Sequence, residues 1–530
     1  MDRQASFNSS LEAQQLRAPP MSTLQHDINR QGFWIALALA TCILIGINLL
    51  KRNVPFRVKP GSHFPPVVHL TKEEQFKDPI NSYNKALRNY GDIIAVPKKD
   101  KLEIIVSEKY VTKVLTDESN FSFEQGVADA MNFDFLMTAT DSKIFKIMAE
   151  VTSELLSKRM DIVVQQVSCI FLSRAAELAE SADSNPVDLF EYCQSTVSDA
   201  MVVLLLGKKF LNRANSNAIK LAANDVAELG GIFQNRSYFA RTFPPLWRFV
   251  TWLKVVIGRI LFGLFLFLGR PIWSEMTRLA QDPKTYKEAD DVTLLSLLVK
   301  KYATPERTLR IGDRGTIYLV LIATMFASVH QVASTMVWVM CELALRPRDQ
   351  DDIMDEINRL RQPDTETLNH DHLKNAVLTD SFIREVMRTK GDTFSTVRMA
   401  INNVQLGNYI IPKGYTVHPN ASLAHNDPAH AGEKPEIFYA RRWLERGKPA
   451  AMTGPGHLAF GLGRWACPGR FFAVAEIKMM VISMLSNMKL ELVGNRYNVV
   501  DKLMIASAPP EAYFKLTKRA CESKRNATQA

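Results

Sequence analysis

The pattern of apolar and polar positions divides the chain into a polar tail, an uncharged apolar segment and a large body. Residues 1–31 are polar and rich in Gln, Ser and Asn, whereas the nineteen residues 32–50 carry no charge. A helix of that length reaches about 30 Å, the thickness of a bilayer's hydrocarbon core. The sequence therefore predicts a single transmembrane helix at 32–50. A cleaved signal peptide is the alternative, but the run is long for one and no small-residue cleavage site follows it.

Residues 51–67 form a basic, proline-rich linker. The segment begins with Lys51 and Arg52 and contains four prolines. Prolines stiffen a linker, and basic residues next to a membrane span stay in the cytosol. We therefore expect the remaining residues, 68–530, to lie on the cytosolic side.

No repeat or long linker interrupts residues 68–530, so we expect one domain there. Residues 93–96 and 102–106 are β-prone runs around a short polar turn, which predicts a hairpin. Residues 142–210 and 343–390 have helical periodicity with few helix breakers.

Two further apolar runs allow more than one structure. Residues 260–268 are too short to span a bilayer, and they suit either a core helix or a surface that dips into the membrane. Residues 315–341 contain no charged side chain, so hydropathy permits a second membrane span. A long core helix with a functional face is favoured, because four polar residues lie close together in its middle: Ser328, His330, Gln331 and Ser334.

Composition narrows the class of protein. Hydrophobic residues make up 47% and charged residues 23% of the chain, which excludes a disordered or collagenous protein. Six cysteines in 530 residues are too few for a disulfide scaffold and fit a reducing compartment. The net charge of +10 permits a membrane surface, an acidic protein or nucleic acid as partner, and chooses none of them.

The most informative segment is a glycine-rich loop that contains Cys467. Its glycines, at 461, 463 and 469, permit unusual backbone conformations and the close approach of a flat ligand. Residues 470–486 are predicted to be helical, so Cys467 would precede a helix amino terminus, where N–H groups favour a thiolate. A thiolate of this kind is a ligand for iron. A buried structural cysteine is the alternative, and the loop as a whole argues against it.

The spacing Phe460-x-x-Gly463-x-x-x-Cys467-x-Gly469-x-x-x-Ala473 resembles the haem-binding loop of the cytochromes P-450, the haem-thiolate monooxygenases. The run from Cys467 to Ala473 is most similar to fungal membrane-bound members. The resemblance implies haem b as cofactor and Cys467 as its axial metal ligand, with Phe460 shielding the sulfur. It also implies a set of cofactor-binding residues: Gly463, Arg464, Trp465, Gly469 and Arg398.

Further motifs of the family occur in the family's order. Glu385-Val-Met-Arg388 resembles its Glu-x-x-Arg motif, and residues 435–443 resemble the segment whose arginine, here Arg442, joins that pair. The resemblance implies a buried structural triad of Glu385, Arg388 and Arg442. The strand and loop between these motifs are matched by residues 411–414 and 425–428.

The resemblance implies a mainly α fold with a minor β region, the cytochrome P-450 fold, preceded by the single transmembrane helix. Residues 315–341 become the long helix across the distal haem face. The implied reaction uses O2 and electrons from NADPH, delivered by NADPH-cytochrome P-450 reductase, with cytochrome b5 as a further candidate partner. The implied substrate is an apolar small molecule and not a nucleic acid. The implied location is the endoplasmic reticulum membrane, single-pass, with the catalytic domain facing the cytosol.

The distal helix departs from the family pattern. The resemblance assigns Ala327, His330 and Gln331 to the catalytic face, but the family usually has threonine where this chain has Gln331. Glutamine is a poor proton relay. Four interpretations are open. Gln331 holds a relay water, the substrate supplies a hydroxyl group, the reaction is not a simple hydroxylation, or the family tolerates this change.

The propionate-binding pattern also departs from the family. Trp465 stands where the family usually has His or Arg, and it offers one N–H donor. Arg398 matches another propionate-binding position, and Arg464 is a second candidate. Lys143 and Lys146 are weaker candidates.

Several functions stay open at this point. The fungal-like loop favours a monooxygenase of specialised metabolism acting on a terpenoid, polyketide or alkaloid. The alternatives are a housekeeping sterol or fatty-acid oxidase of the same family, a haem protein without turnover, and a multi-pass transporter with a fortuitous cysteine loop. Of the sequons at Asn8, Asn120, Asn235, Asn420 and Asn526, a single crossing with a cytosolic body leaves only Asn8 open to glycosylation.

Overall fold

The structure of the chain is a computed structural model. It describes residues 63–98, 101–131, 144–181, 185–231, 237–281, 292–304, 306, 308–360 and 368–519. The predicted tail 1–31, the transmembrane helix 32–50, Asn8 and most of the linker 51–67 lie outside these residues and stay predictions.

Helices make up most of the described chain. They are α1 Lys72–Phe76, α2 Pro79–Tyr90, α3 Glu108–Thr116, α4 Phe123–Ala130, α5 Ile144–Lys158, α6 Met160–Ser181, α7 Leu189–Leu206, α8 Arg213–Leu229, α9 Tyr238–Thr242, α10 Pro244–Trp252, α11 Arg270–Gln281, α12 Leu294–Tyr302, α13 Ile311–Ala344, α14 Pro347–Leu360, α15 His370–Asn375, α16 Val377–Thr389, α17 Ala421–His425, α18 Pro428–Ala431 and α19 Arg470–Asn487. The helical periodicity predicted for 142–210 and 343–390 is confirmed for the described residues of these ranges, which form α5 to α7, the end of α13 and α14 to α16.

The β structure is small. Its strands are β1 Ile93–Lys98, β2 Lys101–Val106, β3 Phe121–Ser122, β4 Arg398–Ala400, β5 Val404–Leu406, β6 Tyr409–Ile411, β7 Thr416–Pro419, β8 Met488–Leu492 and β9 Phe514–Lys518. The main sheet has the order β1-β2-β7-β4-β3, with β2 and β7 parallel. The predicted hairpin is confirmed as β1 and β2, paired from Ile93 opposite Val106 to Lys98 opposite Lys101. The strands β5 and β6 form one two-stranded sheet, and β8 and β9 form another.

Helix α13 contains the uncharged run 315–341 and is a helix of the core. It packs against α7, α8 and α19. From 329 to 344 every side chain is buried except Gln331 and Thr335. Three described helices, α6, α7 and α13, are long and apolar enough to cross a membrane. For α7 and α13 the apolar composition serves the contact between them, because each buries side chains against the other.

The short run 260–268 lies in a π-helical segment, Leu253–Gly269, that joins α10 to α11. The side chains of 261, 262 and 264–267 lie outside the described residues, so the choice between a core helix and a membrane-facing surface stays open. Asn420 is fully buried and caps α17, which leaves no room for a glycan on that sequon.

Candidate active site

A cavity of about 820 Å³ lies in the described part of the chain between the middle of α13 and the loop that contains Cys467. Ala327, Gln331 and Thr335 of α13 line it on one side. Phe460 and Cys467 line it on another. Most of the cavity surface is apolar, which suits an apolar small molecule.

The cysteine loop is held in one conformation by backbone hydrogen bonds and by its glycines. The Cys467 N–H donates to the Phe460 carbonyl at 2.8 Å, and the Arg470 side chain donates to the Cys467 carbonyl at 2.9 Å. Gly463 has a φ of +74°, and a Cβ there would approach Thr116 Cγ2 to 3.0 Å. A side chain at this position would therefore strain the loop and push it away from α3.

Opposing effects set the acidity of the Cys467 thiol. Burial raises its pKa, whereas the backbone N–H groups of Gly469 and Arg470 and the Arg470 charge lower it. The donors expected from the sequence are present, but they do not by themselves make a thiolate. A bound metal cation would, because a coordinating thiol is deprotonated outright.

The cavity face of α13 includes a stripe of three residues spaced four apart. Ala327 and Gln331 are exposed to the cavity and Thr335 is half-buried. Ser328 and Val332 beside them also line the cavity, whereas Val329, Ala333 and Ser334 are buried and are not among its lining residues. This i, i+4, i+8 spacing places the three side chains on one face of the helix. Two of the three expected distal residues, Ala327 and Gln331, therefore lie together at the cavity.

His330 is not among the described residues that line the cavity, which corrects its expected place at the catalytic face. One residue along a helix is a rotation of about 100°, so its ring leaves the stripe and is buried. Its Nε2 lies 2.9 Å from the Ser507 carbonyl oxygen, which only accepts, so Nε2 carries the proton. The ring packs edge-on against Phe190, and burial lowers the pKa of His330.

The expected triad is assembled around one carboxylate. Glu385 is fully buried and accepts hydrogen bonds from Arg388 Nε and Nη2 at 2.9 and 2.8 Å and from Arg442 Nε at 3.0 Å. The Trp443 indole and the Tyr439 backbone N–H also donate to it. The remaining N–H groups of both arginines donate to backbone carbonyl oxygens and, for Arg388, also to the Asn426 side-chain oxygen. The buried charges are therefore compensated by hydrogen bonds.

Arg398 is a buried guanidinium at the start of β4. Among the described residues no carboxylate lies within ion-pair distance of it, and its hydrogen bonds run to the carbonyls of Leu115, Thr396 and Val397 at 3.2–3.4 Å. Burial lowers the pKa of Arg398 to about 10. A buried cation without an anion is costly, so this site favours an anionic ligand.

A family model for cytochrome P450 matches residues 58–516 of this chain. The chain belongs to the cytochrome P450 family. Membership in this family indicates a monooxygenase, and haem-thiolate iron is the family's cofactor.

Individual relatives are distant. The cytochrome P450 monooxygenase gliF of Aspergillus fumigatus is 31% identical over 191 residues, which span 33% of this chain and 38% of the relative. The beta-amyrin 11-oxidase of Glycyrrhiza uralensis is 23% identical over 92% of this chain and 99% of its own length. A solved structure of retinoic acid bound cyanobacterial CYP120A1 aligns with a TM-score of 0.62 at 17% identity, over 86% of this chain and all of that chain, and shows the shared fold.

The residues of this P450 fit a haem. Cys467 and the α13 stripe line the same cavity. Arg398 is not itself among the lining residues, but it directly follows Thr396 and Val397, which are, and among the described residues it has no anion of the kind that a haem propionate would supply. Next to Arg398, the Phe123 ring lies 5.0 Å from the guanidinium and stacks on Trp465 with centroids 4.8 Å apart. Trp465 thus contributes a flat aromatic wall where the family usually has a cationic or imidazole side chain.

The remaining propionate candidates are less well placed. Arg464 lines the cavity, but its side chain is two-thirds exposed and lies 3.4 Å from Glu118. Lys146 is exposed on α5, and Lys143 lies outside the described residues.

Replacing Arg398 by methionine is expected to loosen the haem. The lost charge-assisted hydrogen bonds are worth about 1.5–3 kcal/mol, which corresponds to roughly 10- to 100-fold faster haem loss. Haem transfer to apomyoglobin measures this rate. Arg384→Met is the matched control, because Arg384 is also a buried arginine but donates to the carbonyls of Pro449 and Met452. Equal haem loss from both variants would contradict the assignment.

A polar cluster behind α13 was not apparent from the sequence. Four side chains of α13 donate to residues 505–507: His330 to Ser507 O, Gln331 to Ser507 Oγ, Ser334 to Ala506 O and Trp338 to Ile505 O. Asp392 holds the same segment from the other side. These partners are more than a hundred residues apart in the chain, so only the fold reveals that they meet.

Proposed function

We propose that this protein is a membrane-anchored fungal P450 that oxidises an apolar small molecule in a specialised-metabolite pathway. The observation that carries the proposal is that Cys467 and the α13 stripe line one largely apolar cavity of about 820 Å³. This volume has to hold both the haem and the substrate, and the apolar walls suit a terpenoid, polyketide or alkaloid. The similarity to the Aspergillus fumigatus monooxygenase supports a fungal source.

The chain's own residues have separate roles in this proposal. When bound, haem b supplies the activation of molecular oxygen, with electrons that originate from NADPH. Cys467 would hold the iron and Arg398 would bind a propionate. Phe460 packs over the loop, Gly469 allows a close approach to the cavity, and Gly463 corrects the expectation of a direct cofactor contact, because it keeps the loop against α3. Ala327 has a small side chain at the cavity, and Gln331 is the one amide of the α13 stripe at this surface. The apolar walls exclude water and hold the substrate.

The overall reaction inserts one atom of O2 into the substrate and releases the other as water, using two electrons and two protons. We assign the delivery of the two electrons to NADPH-cytochrome P-450 reductase, with cytochrome b5 as a second electron donor, while the two protons come from solvent water. The expected anchor at 32–50 would place the catalytic domain on the cytosolic face of the endoplasmic reticulum, where both donors are membrane-bound. Asn8 is the sequon that this topology leaves open to glycosylation.

The test is turnover of the full-length protein in membranes that contain the reductase. Incubation with terpenoids, polyketides, alkaloids, sterols and fatty acids under isotopically labelled O2 should give a labelled product in an NADPH-dependent manner. Labelling of sterols or fatty acids alone would favour the housekeeping alternative. Bound haem without NADPH consumption on any compound would instead indicate a protein without turnover.

Gln331→Thr is expected to change the coupling of NADPH consumption to product, because it places a hydroxyl where the amide stands. General acid–base groups contribute about 100- to 10,000-fold, so a several-fold change is measurable. Product, hydrogen peroxide and NADPH are quantified together. Thr335→Ser, one turn further along the stripe, keeps its hydroxyl and serves as control. Unchanged rate, coupling and product in Gln331→Thr would exclude any special role of Gln331.

A further inference from the structure

A short hydrogen-bond chain leads from the cavity into the protein behind α13. The Gln331 amide nitrogen donates to Ser507 Oγ at 3.2 Å, and Ser507 Oγ donates to Asp392 Oδ2 at 2.7 Å. The other carboxylate oxygen, Oδ1, accepts the backbone N–H groups of Ala506 and Ser507 at 2.8 and 3.2 Å. Asp392 is therefore surrounded by donors.

The number of available protons determines which group donates and which accepts in each hydrogen bond of this chain. Backbone N–H groups only donate, so Asp392 faces them as an acceptor. Ser507 has a single hydroxyl proton, and the short contact to Asp392 uses it. Ser507 Oγ then has only acceptor capacity left for Gln331. The amide of Gln331 must therefore turn its nitrogen toward Ser507 and its carbonyl oxygen away.

Ser507 is held in place independently of Gln331. The carbonyls of residues 505–507 accept hydrogen bonds from Trp338, Ser334 and His330, at 2.8, 2.7 and 2.9 Å. All three donors project from the buried side of α13. The backbone position of Ser507 is therefore fixed, and its hydroxyl group in turn restricts the rotamer of the Gln331 amide.

Gln331 carries this chain onto the α13 face of the cavity, which Ser507 and Asp392 also line. Its side chain is exposed to the cavity and lies between Ala327 and Thr335 on the stripe. Among the described residues no donor is bonded to its carbonyl oxygen. Ala327 offers no polar side-chain atom, and the Thr335 hydroxyl donates back to the Gln331 backbone carbonyl at 2.9 Å. The amide oxygen is thus an oriented acceptor on the α13 face of the cavity.

We propose that Asp392 and Ser507 are positioning residues that orient the Gln331 carbonyl oxygen into the cavity, and that the substrate carries a hydroxyl or N–H group that donates to it. This inference rests on the proposed function, because it defines the substrate of the same cavity. It narrows the substrate class from apolar molecules in general to those with a hydrogen-bond donor at the distal face. An amide without this support would rotate freely and select neither donors nor acceptors.

The hydrogen-bond donors around Asp392 favour its ionised form at neutral pH. Burial raises its pKa to about 6, and the neighbouring carboxylate of Asp501 acts in the same direction, while the three donors lower it. Lys390, two residues earlier, is bound to Tyr497 and Glu342. From α17, the His425 ring abuts Gly391, and burial lowers the pKa of that histidine to about 4, so it is neutral.

The binding test compares two rigid probes of similar size, 1-adamantanol and its methyl ether, 1-methoxyadamantane. Equilibrium dialysis of the haem-containing protein gives both dissociation constants without turnover. The alcohol should bind about 10-fold more tightly, since a net hydrogen bond is worth about 1 kcal/mol or slightly more. This preference should shrink toward equal affinity in Ser507→Ala and in Asp392→Asn.

The matched control is Ser334→Ala, which removes a hydrogen bond to the same segment without touching Gln331. It should keep the preference for the alcohol. Equal affinity for both probes in the unaltered protein would overturn the proposal. Failure of both to bind would overturn it as well, because an apolar cavity with a free acceptor should take the alcohol.

A second readout needs no ligand. Infrared difference spectra between the unaltered protein and Asp392→Asn should show an ionised Asp392 at neutral pH, with a protonated carboxyl band rising as the pH falls through about 6. Ser507→Ala should raise this pKa, because it removes a hydrogen bond that favours the carboxylate. A protonated Asp392 at neutral pH would overturn the assigned direction of the chain. Haem content and NADPH-dependent oxidation, measured on the same samples, report separately on the proposed function.

Discussion

Cys467→Ala should abolish the red-shifted Soret band that the reduced carbon monoxide complex of a haem-thiolate protein shows, together with all NADPH-dependent oxidation. The cysteine loop places the thiol of Cys467, the proposed sulfur ligand, in the wall of the cavity. Alanine cannot ligate iron, so the loop would keep its hydrogen bonds but lose the metal contact. We expect product formation to fall below detection, the largest effect of any single substitution in this chain.

Cys341→Ala is the control for this experiment, because Cys341 is a fully buried cysteine of α13 that lies away from the loop. It should keep both the spectrum and the turnover, with at most a small loss of stability from the missing sulfur. Retention of the thiolate-type band in Cys467→Ala would show that another residue ligates the iron. The absence of haem from the unaltered protein would remove the cofactor from the proposed function altogether.

Glu385→Gln should prevent stable folding. The substitution keeps the shape of the side chain but removes the one negative charge shared by Arg388 and Arg442, and all three groups are buried. Removing one partner of a buried ion pair costs about 3–5 kcal/mol, because the remaining charge is left without compensation. That is a large part of the 5–15 kcal/mol that typically stabilises a domain. Soluble yield and the midpoint of denaturant-induced unfolding measure the effect.

A matched control is Glu73→Gln, which breaks the pair between Glu73 and Lys77 on α1. Both side chains of that pair are about three-quarters exposed. Exposed ion pairs contribute little, so yield and midpoint should not change. If Glu385→Gln folded normally and lost only activity, the three residues would be part of the reaction machinery and not a structural support.

Local sequence determined the chemistry of the cysteine loop and most of the secondary structure. The spacing of Phe460, Gly463, Cys467 and Gly469 is a short-range pattern, since each residue's role depends on neighbours a few positions away. The hairpin of β1 and β2 was predictable for the same reason, because its register depends on one turn. The uncharged run 315–341 identified α13, and its polar centre correctly favoured a core helix.

The orientation of side chains on α13 was not predictable from the run alone. Ser328, His330, Gln331 and Ser334 all interrupt the apolar pattern, and the sequence treats them alike. The fold separates them by rotation about the helix: Gln331 faces the cavity, whereas His330 and Ser334 are buried against residues 505–507. Successive residues of a helix are rotated by about 100° about its axis, so neighbouring polar side chains point in different directions. Only the packing of α13 shows which of these directions faces the cavity.

What the sequence by itself determined is the family, the cysteine proposed as iron ligand and the members of the buried triad, because these are carried by short motifs with fixed spacing. What only the tertiary structure decided is how distant segments complete the site. Arg398 is seen to lack an anion only when its surroundings are known. Asp392 and Ser507 acquire a role only because the segment after α16 and the segment before β9 meet behind α13. Hydrogen bonds and packing contacts join residues that are close in space, and here those residues are far apart in the sequence. The sequence alone therefore could not reveal these contacts.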